Sequence, residues 1–187
     1  TEITLPDDPA RGFAGGRGLE QDLALLEAEG RLTGILNGID AVENDPRRAQ
    51  PPFQAEDPDL ALHKRAHKEK LLARLRALQP SPLGPNSPRW WEERSALDTP
   101  LAVAVTRPTG QKVQLLLTQL ESHQTTLEGL AELPLNTVVL GTGDLEEPFV
   151  THLNNTPNNR VVFINQYDPT LADLLYTGSD LFVMRFL

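Results

Sequence analysis

The sequence has no cysteine, few aromatic residues and no long apolar run. Without cysteine the chain has no disulfide framework, no thiol nucleophile and no cysteine-ligated zinc site, which favours an intracellular compartment. No apolar run approaches the roughly 18 residues that a membrane span requires, and the first ten residues lack the basic and apolar regions of a signal peptide. Because the chain begins with Thr1 rather than Met, we expect a processed protein or a piece of a longer one.

Positive charge is also scarce. Seventeen Lys and Arg residues face 26 Asp and Glu residues, giving a net charge of −9. Sequence-independent binding of DNA or RNA depends on cations that neutralise phosphates, so we expect no nucleic-acid partner. The net charge does not exclude a local basic pocket. The 39% of apolar and 23% of charged residues are typical of a globular protein, and 187 residues suffice for one domain or one and a half.

Prolines divide the chain. Most of the 16 prolines lie in residues 41–58 and 79–98, which therefore read as loops or extended connectors. Between them, residues 59–78 carry leucines at helical spacing, which predicts a helix capped by Asp57 or Asp59. A second, earlier amphipathic helix is predicted within GLEQDLALLEAEG, closed by its final glycine.

From residue 100 onward, short apolar runs alternate with helical patterns. The predicted strands are LAVAVT (101–106), TVVLG (137–141), RVVFI (160–164) and LFVMRFL (181–187), and the predicted helices are 111–122, 144–155 and 169–177. Alternation of this kind predicts an α/β fold, a Rossmann-like parallel sheet flanked by helices, with right-handed crossovers. Ligands of such sheets bind outside the carboxyl ends of the strands.

The run VTRPTGQK begins in the last two residues of the first predicted strand and carries two cations, Arg107 and Lys112. Arg offers a planar fork for phosphate oxygens and Lys a compact charge, while a helix start adds free backbone N–H groups. The run is therefore a candidate phosphate cradle. The alternative is an ordinary strand-to-helix turn with two solvated cations.

Four motifs in order give the chain a resemblance to one family. They are LTGILNGID (32–40), VTRPTGQK (105–112), VVLGTGDLEEPF (138–149) and QYDPTLADLLYTGSDLFVM (166–184). Together they resemble the bacterial glycogen synthases and plant starch synthases, glycosyltransferase family 5. The resemblance implies part of a two-domain GT-B fold, divided into an interdomain crossing with the first elements (1–40), a proline-rich connector with one amphipathic helix (41–99) and an incomplete Rossmann-like nucleotide-binding domain (100–187).

The resemblance also implies an activity. Members of the family transfer glucose from ADP-glucose to an α-1,4-glucan with retention of configuration. The implied partners are thus a nucleotide sugar and, in the complete protein, an α-glucan, with no cofactor, no metal and no membrane span. The implied location is the bacterial cytoplasm or the plastid stroma.

Seven positions match the family's site residues. The resemblance assigns the nucleotide phosphates and the leaving diphosphate to Arg107 and Lys112, the transferred sugar to Asn37, adenine stacking to Tyr167, and a loop near the nucleotide to Gly141, Thr142 and Gly143. It implies catalytic roles for Arg107 and Lys112.

The chain also departs from the family pattern. Pro108 replaces a Leu, Gln166 replaces a common Gly, and Val113 adds a Cβ where the family has Gly. After SDLFVM the chain lacks the family's Pro-Ser pair and the later Glu that orients the glucose, so we expect this chain alone to lack a complete active site. The alternative is a degenerate glycosyltransferase-like domain that serves as a non-catalytic structural or interaction subunit with a protein partner.

One histidine pair and one tryptophan pair are further candidates for functional sites. His63 and His67 are four residues apart on the predicted helix, the spacing of a zinc-chelating pair, but the surrounding Lys and Arg favour a solvated basic face. Trp90 and Trp91 form either a sugar platform or, by the more common use of tryptophan, an anchor of the connector to the domain.

Overall fold

The computed structural model describes residues 2–9, 15–35, 38–42, 44–78, 88–109, 116–119, 124–143, 146–156 and 160–183. The chain forms two compact units, residues 1–44 and 45–186. In the first unit a short 3-10 turn, Glu2–Thr4, precedes helix α1, Glu20–Ala28, which confirms the first predicted helix.

Helix α1 ends as the sequence predicts. Gly30 has a φ of 68°, its N–H donates to the Glu27 carbonyl, and the Arg31 N–H donates to the Leu26 carbonyl. These two bonds form a Schellman motif, in which a left-handed residue satisfies the last carbonyls of a helix. A glycine suits this position because it has no Cβ to strain the left-handed backbone.

The second unit is built on a four-stranded parallel sheet. Its strands are β1 (Leu101–Val105), β2 (Asn136–Leu140), β3 (Val161–Ile164) and β4 (Leu181–Phe182). Their order in the sheet is β3-β2-β1-β4, and every pair is parallel. The predicted α/β fold with a parallel sheet is therefore confirmed. The predicted fourth strand is described only as far as Phe182 and the following Val183, since residues 184–187 lie outside the described ranges.

Helices cover both faces of this sheet. Helices α2 (Leu60–Arg76) and α5 (Pro169–Gly178) pack on one face, and α3 (Thr126–Glu132) and α4 (Glu146–Asn155) on the other. Alternate strand residues point to opposite faces, and nearly all are apolar, which explains the continuous apolar runs in the sequence. Within the described ranges, every helix is too short or too polar to cross a bilayer.

Helix α2, which comes from the proline-rich connector, forms one layer of this unit. It runs antiparallel to α5, because Lys64 Nζ donates to the Thr177 carbonyl at 2.8 Å while Arg74, at the other end, pairs with Asp168 at 3.0 Å. Next to the Lys64 contact, a Cβ on Gly178 would lie 2.8 Å from the Leu71 Cβ, so the glycine allows the two helices to approach closely. Residues 45–99 thus share a compact unit with the sheet. The domain boundaries at residues 40 and 99 stay a prediction.

The start of α2 differs in detail from the predicted cap. Asp59 precedes the first helical residue, but its side chain makes no capping hydrogen bond. The Asp57 carboxylate instead accepts from the Asp59 N–H at 2.8 Å and lies 3.2 Å from Nδ1 of His63. Among the described residues no three His, Asp or Glu side chains are grouped as metal ligands.

The expected solvated basic face of α2 is wrong at two positions. His67 and Lys68 are only 4% and 5% exposed. Lys68 Nζ donates to the Thr99 carbonyl and to the Asp180 carboxylate, both at 2.7 Å, and the His67 ring stacks on Phe53 at 4.5 Å. Helix α2 packs between the connector and the sheet. The buried polar groups of His67 and Lys68 therefore form hydrogen bonds with backbone carbonyls and one carboxylate instead of with water.

The tryptophan pair anchors the connector, as expected. Trp90 and Trp91 are buried in the same apolar cluster as β1 and α2, and their rings meet edge to face at 5.3 Å. A buried indole has no free face for a sugar, which excludes the sugar-platform interpretation.

Most of the predicted helix 111–122 lies outside the described ranges; of its residues only 116–119 are described, and 116 and 117 among them are helical. The sequence analysis missed a further helix before β2, namely α3. It begins with a capping box, in which the Thr125 hydroxyl accepts from the Glu128 N–H and the Glu128 carboxylate accepts from the Thr125 N–H. The motif TTLE carried this signal.

Candidate functional site

A cleft of about 980 Å³ opens at the carboxyl ends of the strands. The chain adds β2 and β3 on one side of β1 and then returns to place β4 on the other side. This reversal makes a topological switch point between β1 and β4, where open parallel sheets bind their ligands. The cleft is lined by the ends of β1 and β4 and by the loops after β2 and β3, so its position agrees with that rule.

The structure brings four predicted site residues together in this cleft: Arg107, Gly141, Thr142 and Tyr167. They come from three different loops, and they meet because parallel strands end at the same edge of a sheet. Gly143 packs against the neighbouring loop rather than lining the cleft. Asn37, Lys112 and Val113 lie outside the described residues.

The two glycines of the GTG motif allow two loops to touch. Gly141 has a φ of 151°, and a Cβ built on it would lie 1.8 Å from the carbonyl oxygen of Thr106. A Cβ on Gly143 would lie 2.9 Å from the carbonyl oxygen of Pro108. The loop after β2 therefore rests directly on the loop after β1, and a side chain at Gly141 would separate them.

Arg107 is the cation of the cleft. Its neighbours are fixed by the fold, since the Thr106 N–H donates to the Leu140 carbonyl at 2.9 Å and Pro108 is buried. The Arg107 side chain itself is exposed, and it makes no ion pair with any residue in the described part of the chain. Rigid flanks and an uncommitted guanidinium suit a phosphate contact.

A carboxylate junction that the sequence analysis missed lies on the other side of the cleft. Asp168 caps α5, because its Oδ1 accepts from the Leu171 N–H at 2.9 Å. Its Oδ2 accepts from Arg74 Nη2 at 3.0 Å and from Gln166 Nε2 at 3.1 Å. The motif DPTL, with Asp before Pro at a helix start, predicts the cap, but nothing in the sequence links it to a residue 94 positions earlier.

Aromatic side chains complete the cleft wall. Tyr167 is 87% exposed, and Tyr176 and Phe182 are exposed with their rings 5.3 Å apart. Partial burial raises the pKa of the Tyr176 hydroxyl, and the negative charge of Asp173 raises it further. Tyr176 and Phe182 were missed because they come from a helix face and a strand that read as ordinary core positions. An aromatic wall of this kind can stack on the flat face of a nucleobase.

Curated relatives match nearly the whole chain, although no protein-family model does. The glycogen synthase of Deinococcus radiodurans is 34% identical over 188 residues, which cover 98% of this chain and 33% of the relative. Those of Streptococcus mutans and Dechloromonas aromatica are 32% and 35% identical, over 90% of this chain and 31% and 30% of the relatives. This chain matches a segment of the bacterial glycogen synthases.

The match confirms the resemblance inferred from the four motifs. The chain spans about a third of the length of the glycogen synthases that it matches. The aligned segment includes the parallel sheet, its flanking helices and the cleft, so the relationship covers the candidate site together with the elements that build it.

Proposed function

We propose that this chain is the nucleotide-sugar-binding part of an ADP-glucose-dependent glycogen or starch synthase. The observation that carries the proposal is the cleft at the switch point, with a free cation at the end of β1 and an exposed tyrosine after β3. Relationship to the glycogen synthases supports the ligand class. Transfer of glucose to an α-1,4-glucan belongs to the same proposal for the protein that carries this segment.

The charges of Asp168 and Arg107 indicate how a nucleotide would be oriented in the cleft. Asp168 places a carboxylate on the amino end of α5 and occupies the Leu171 N–H, so this helix start disfavours a phosphate. Arg107 lies at the end of β1, two strands away from β3, a separation of about 10 Å at the usual strand spacing. We therefore place the diphosphate at Arg107 and the adenine at Tyr167.

The proposed chemistry follows from this placement. A leaving nucleoside diphosphate gains negative charge as the glycosidic bond breaks, and a cation fixed where charge develops stabilises the transition state more than the ground state. Arg107 would supply this stabilisation with a planar fork of N–H donors. By the resemblance, Lys112 would add a second cation and Asn37 would contact the sugar. Gly141 and Thr142 would form the floor beside the nucleotide.

Calorimetric titration with ADP tests the proposal. Arg107→Ala removes the cation without touching any described ion pair, and we expect ADP affinity to fall about tenfold or more, the usual effect of losing a charged hydrogen bond. Arg65→Ala is the matched control, because it removes the same charge from α2, where Arg65 pairs with the exposed Asp98 at 2.8 Å. We expect the control to bind ADP like the wild type.

Two results would contradict the proposal. One is a folded wild-type chain that binds neither ADP nor ADP-glucose at millimolar concentration. That outcome would favour the second hypothesis, a degenerate domain acting as a non-catalytic interaction subunit. The other is an equal loss of affinity in the Arg107 and Arg65 variants, which would show a general effect of charge instead of a site.

A further inference from the structure

The Tyr167 side chain does not anchor the loop that carries it, because it is almost fully exposed. The loop spans residues 165–168, between the end of β3 at Ile164 and the start of α5 at Pro169. The Tyr167 side chain is 87% exposed and stacks on no other described aromatic ring. A side chain held by so few contacts takes its position from the residues on either side of it.

The two residues beside Tyr167 are hydrogen-bonded to each other, because the Asp168 carboxylate accepts from the Gln166 side chain. Gln166 Nε2 donates to Asp168 Oδ2 at 3.1 Å, and the Gln166 N–H donates to the Ile164 carbonyl at 3.0 Å. The other oxygen of Asp168 caps α5 through the Leu171 N–H at 2.9 Å. The carboxylate thus joins the two flanks of the tyrosine to the first turn of the helix.

Arg74 fixes this carboxylate from outside the loop. Its Nη2 donates to Asp168 Oδ2 at 3.0 Å, and the two side chains are 37% and 18% exposed. A charge-assisted hydrogen bond with a half-buried carboxylate is stronger than a fully solvated pair. Arg74 belongs to α2, which is held against α5 by the close approach of Leu71 to Gly178, so its donor comes from a rigid element.

We infer that Arg74 is a positioning residue for the nucleobase. It acts through Asp168 to hold the Tyr167 loop at the mouth of the cleft, so that the ring is oriented before a base arrives. This inference rests on the proposed function, since it assigns the stacking partner to Tyr167. Preorganisation of this kind raises affinity because less motion is lost on binding.

A double-mutant cycle tests the inference by ADP titration. We expect Arg74→Ala to weaken ADP binding about fivefold to tenfold, the loss expected when one side chain that was held in place must instead be ordered on binding. If Arg74 acts through the tyrosine, the same change made in a Tyr167→Ala background will cause no further loss. Arg65→Ala on the same helix is the matched control and should leave ADP affinity unchanged. Arg74→Lys, which keeps a cationic donor, should restore part of the affinity.

Amide hydrogen exchange gives a readout that needs no ligand. The Gln166 and Leu171 N–H groups should exchange several-fold faster in Arg74→Ala than in the wild type, and at the wild-type rate in Arg65→Ala. Equal ADP affinity in wild type and Arg74→Ala would overturn the inference. So would an Arg74→Ala loss that is the same with and without Tyr167, since a purely structural effect adds in both backgrounds.

The two proposals fail in different ways. A wild-type chain that binds no ADP removes the proposed function, and the exchange rates then decide alone whether Arg74 holds the loop. A wild-type chain that binds ADP, together with an Arg74→Ala variant that binds it equally well, removes the positioning role and leaves the proposed function in place.

Discussion

Replacement of Gly141 by Ala provides a sharp test of the site's architecture. The new Cβ would lie 1.8 Å from the Thr106 carbonyl oxygen, and contacts of this kind below 3.0 Å essentially do not occur. The two loops would therefore have to move apart by more than 1 Å, at the expense of the hydrogen bond from the Gly141 N–H to the Ile164 carbonyl at 3.2 Å. Overpacking costs about 1–3 kcal/mol, and an unfavourable positive φ adds about 1–3 kcal/mol.

We expect the free energy of unfolding to fall by about 3 kcal/mol, measured by urea denaturation with an unchanged m-value. Gly129→Ala is the matched control with the opposite expected sign. Gly129 lies in α3, and a Cβ there meets nothing within 4 Å, so the higher helix propensity of Ala should stabilise the protein by about 0.5–1 kcal/mol. A Gly141→Ala variant as stable as the wild type would refute the direct contact between the two loops.

Two further predictions concern stability. Lys68→Met removes the donor to the Thr99 carbonyl and leaves the Asp180 carboxylate, 35% exposed, without its cation; we expect urea denaturation to show a loss of about 2–4 kcal/mol. Glu128→Gln tests the α3 capping box, where the hydrogen bond from the Thr125 N–H lowers the Glu128 pKa below its usual 4.5. A lowered folded pKa stabilises the protein above pH 4.5 and loses this effect as pH falls through the folded value, so the wild type's advantage over Glu128→Gln in urea should disappear in acid.

Each of these variants has a control on its own helix. Arg65→Met removes an exposed cation of α2 and should change stability by less than about 0.5 kcal/mol, the usual range for a surface pair. Glu132→Gln changes a carboxylate of α3 outside the capping box, and its amide oxygen can still accept from Gln124 Nε2, as the Glu132 carboxylate does at 2.6 Å, so its stability in urea should stay close to that of the wild type. An equal loss of stability in Lys68→Met and Arg65→Met would show that the buried pair contributes no more than a surface pair. Equal pH profiles of stability for Glu128→Gln and Glu132→Gln would contradict the role of the capping box.

Much of the sheet could be predicted from the sequence, because short apolar runs rich in β-branched residues favour buried strands over other secondary structure. Strands β1, β2 and β3 lie where they were predicted, and so does α2. The polar face of α2 did not follow, since Lys68 resembles a solvated lysine until the carboxylate of Asp180, 112 residues later, is brought beside it. Local patterns determine element type, whereas the partner of a buried charge depends on the tertiary fold.

The candidate site was predictable to the same extent. Residues at the carboxyl ends of strands could be placed together from the alternating pattern alone, and Arg107, Gly141 and Tyr167 do line one cleft. The hold of Arg74 on Asp168 could not be predicted, because it depends on the packing of α2 against α5. Motif matching finds the residues that face a ligand more readily than those that position them.

The structure also separates two kinds of motif residue. Gly141 and Gly143 are required by contact between two loops, and the buried Pro108 is part of that contact, so the fold alone accounts for both glycines. Arg107 and Tyr167 are different, because the described part of the chain gives the guanidinium no ion pair and leaves the tyrosine almost fully exposed. Exposed side chains without a structural role are where retained function is best detected. Nucleotide affinity should therefore be judged from changes at Arg107 and Tyr167, because a change at Gly141 alters the loops whether or not a nucleotide binds.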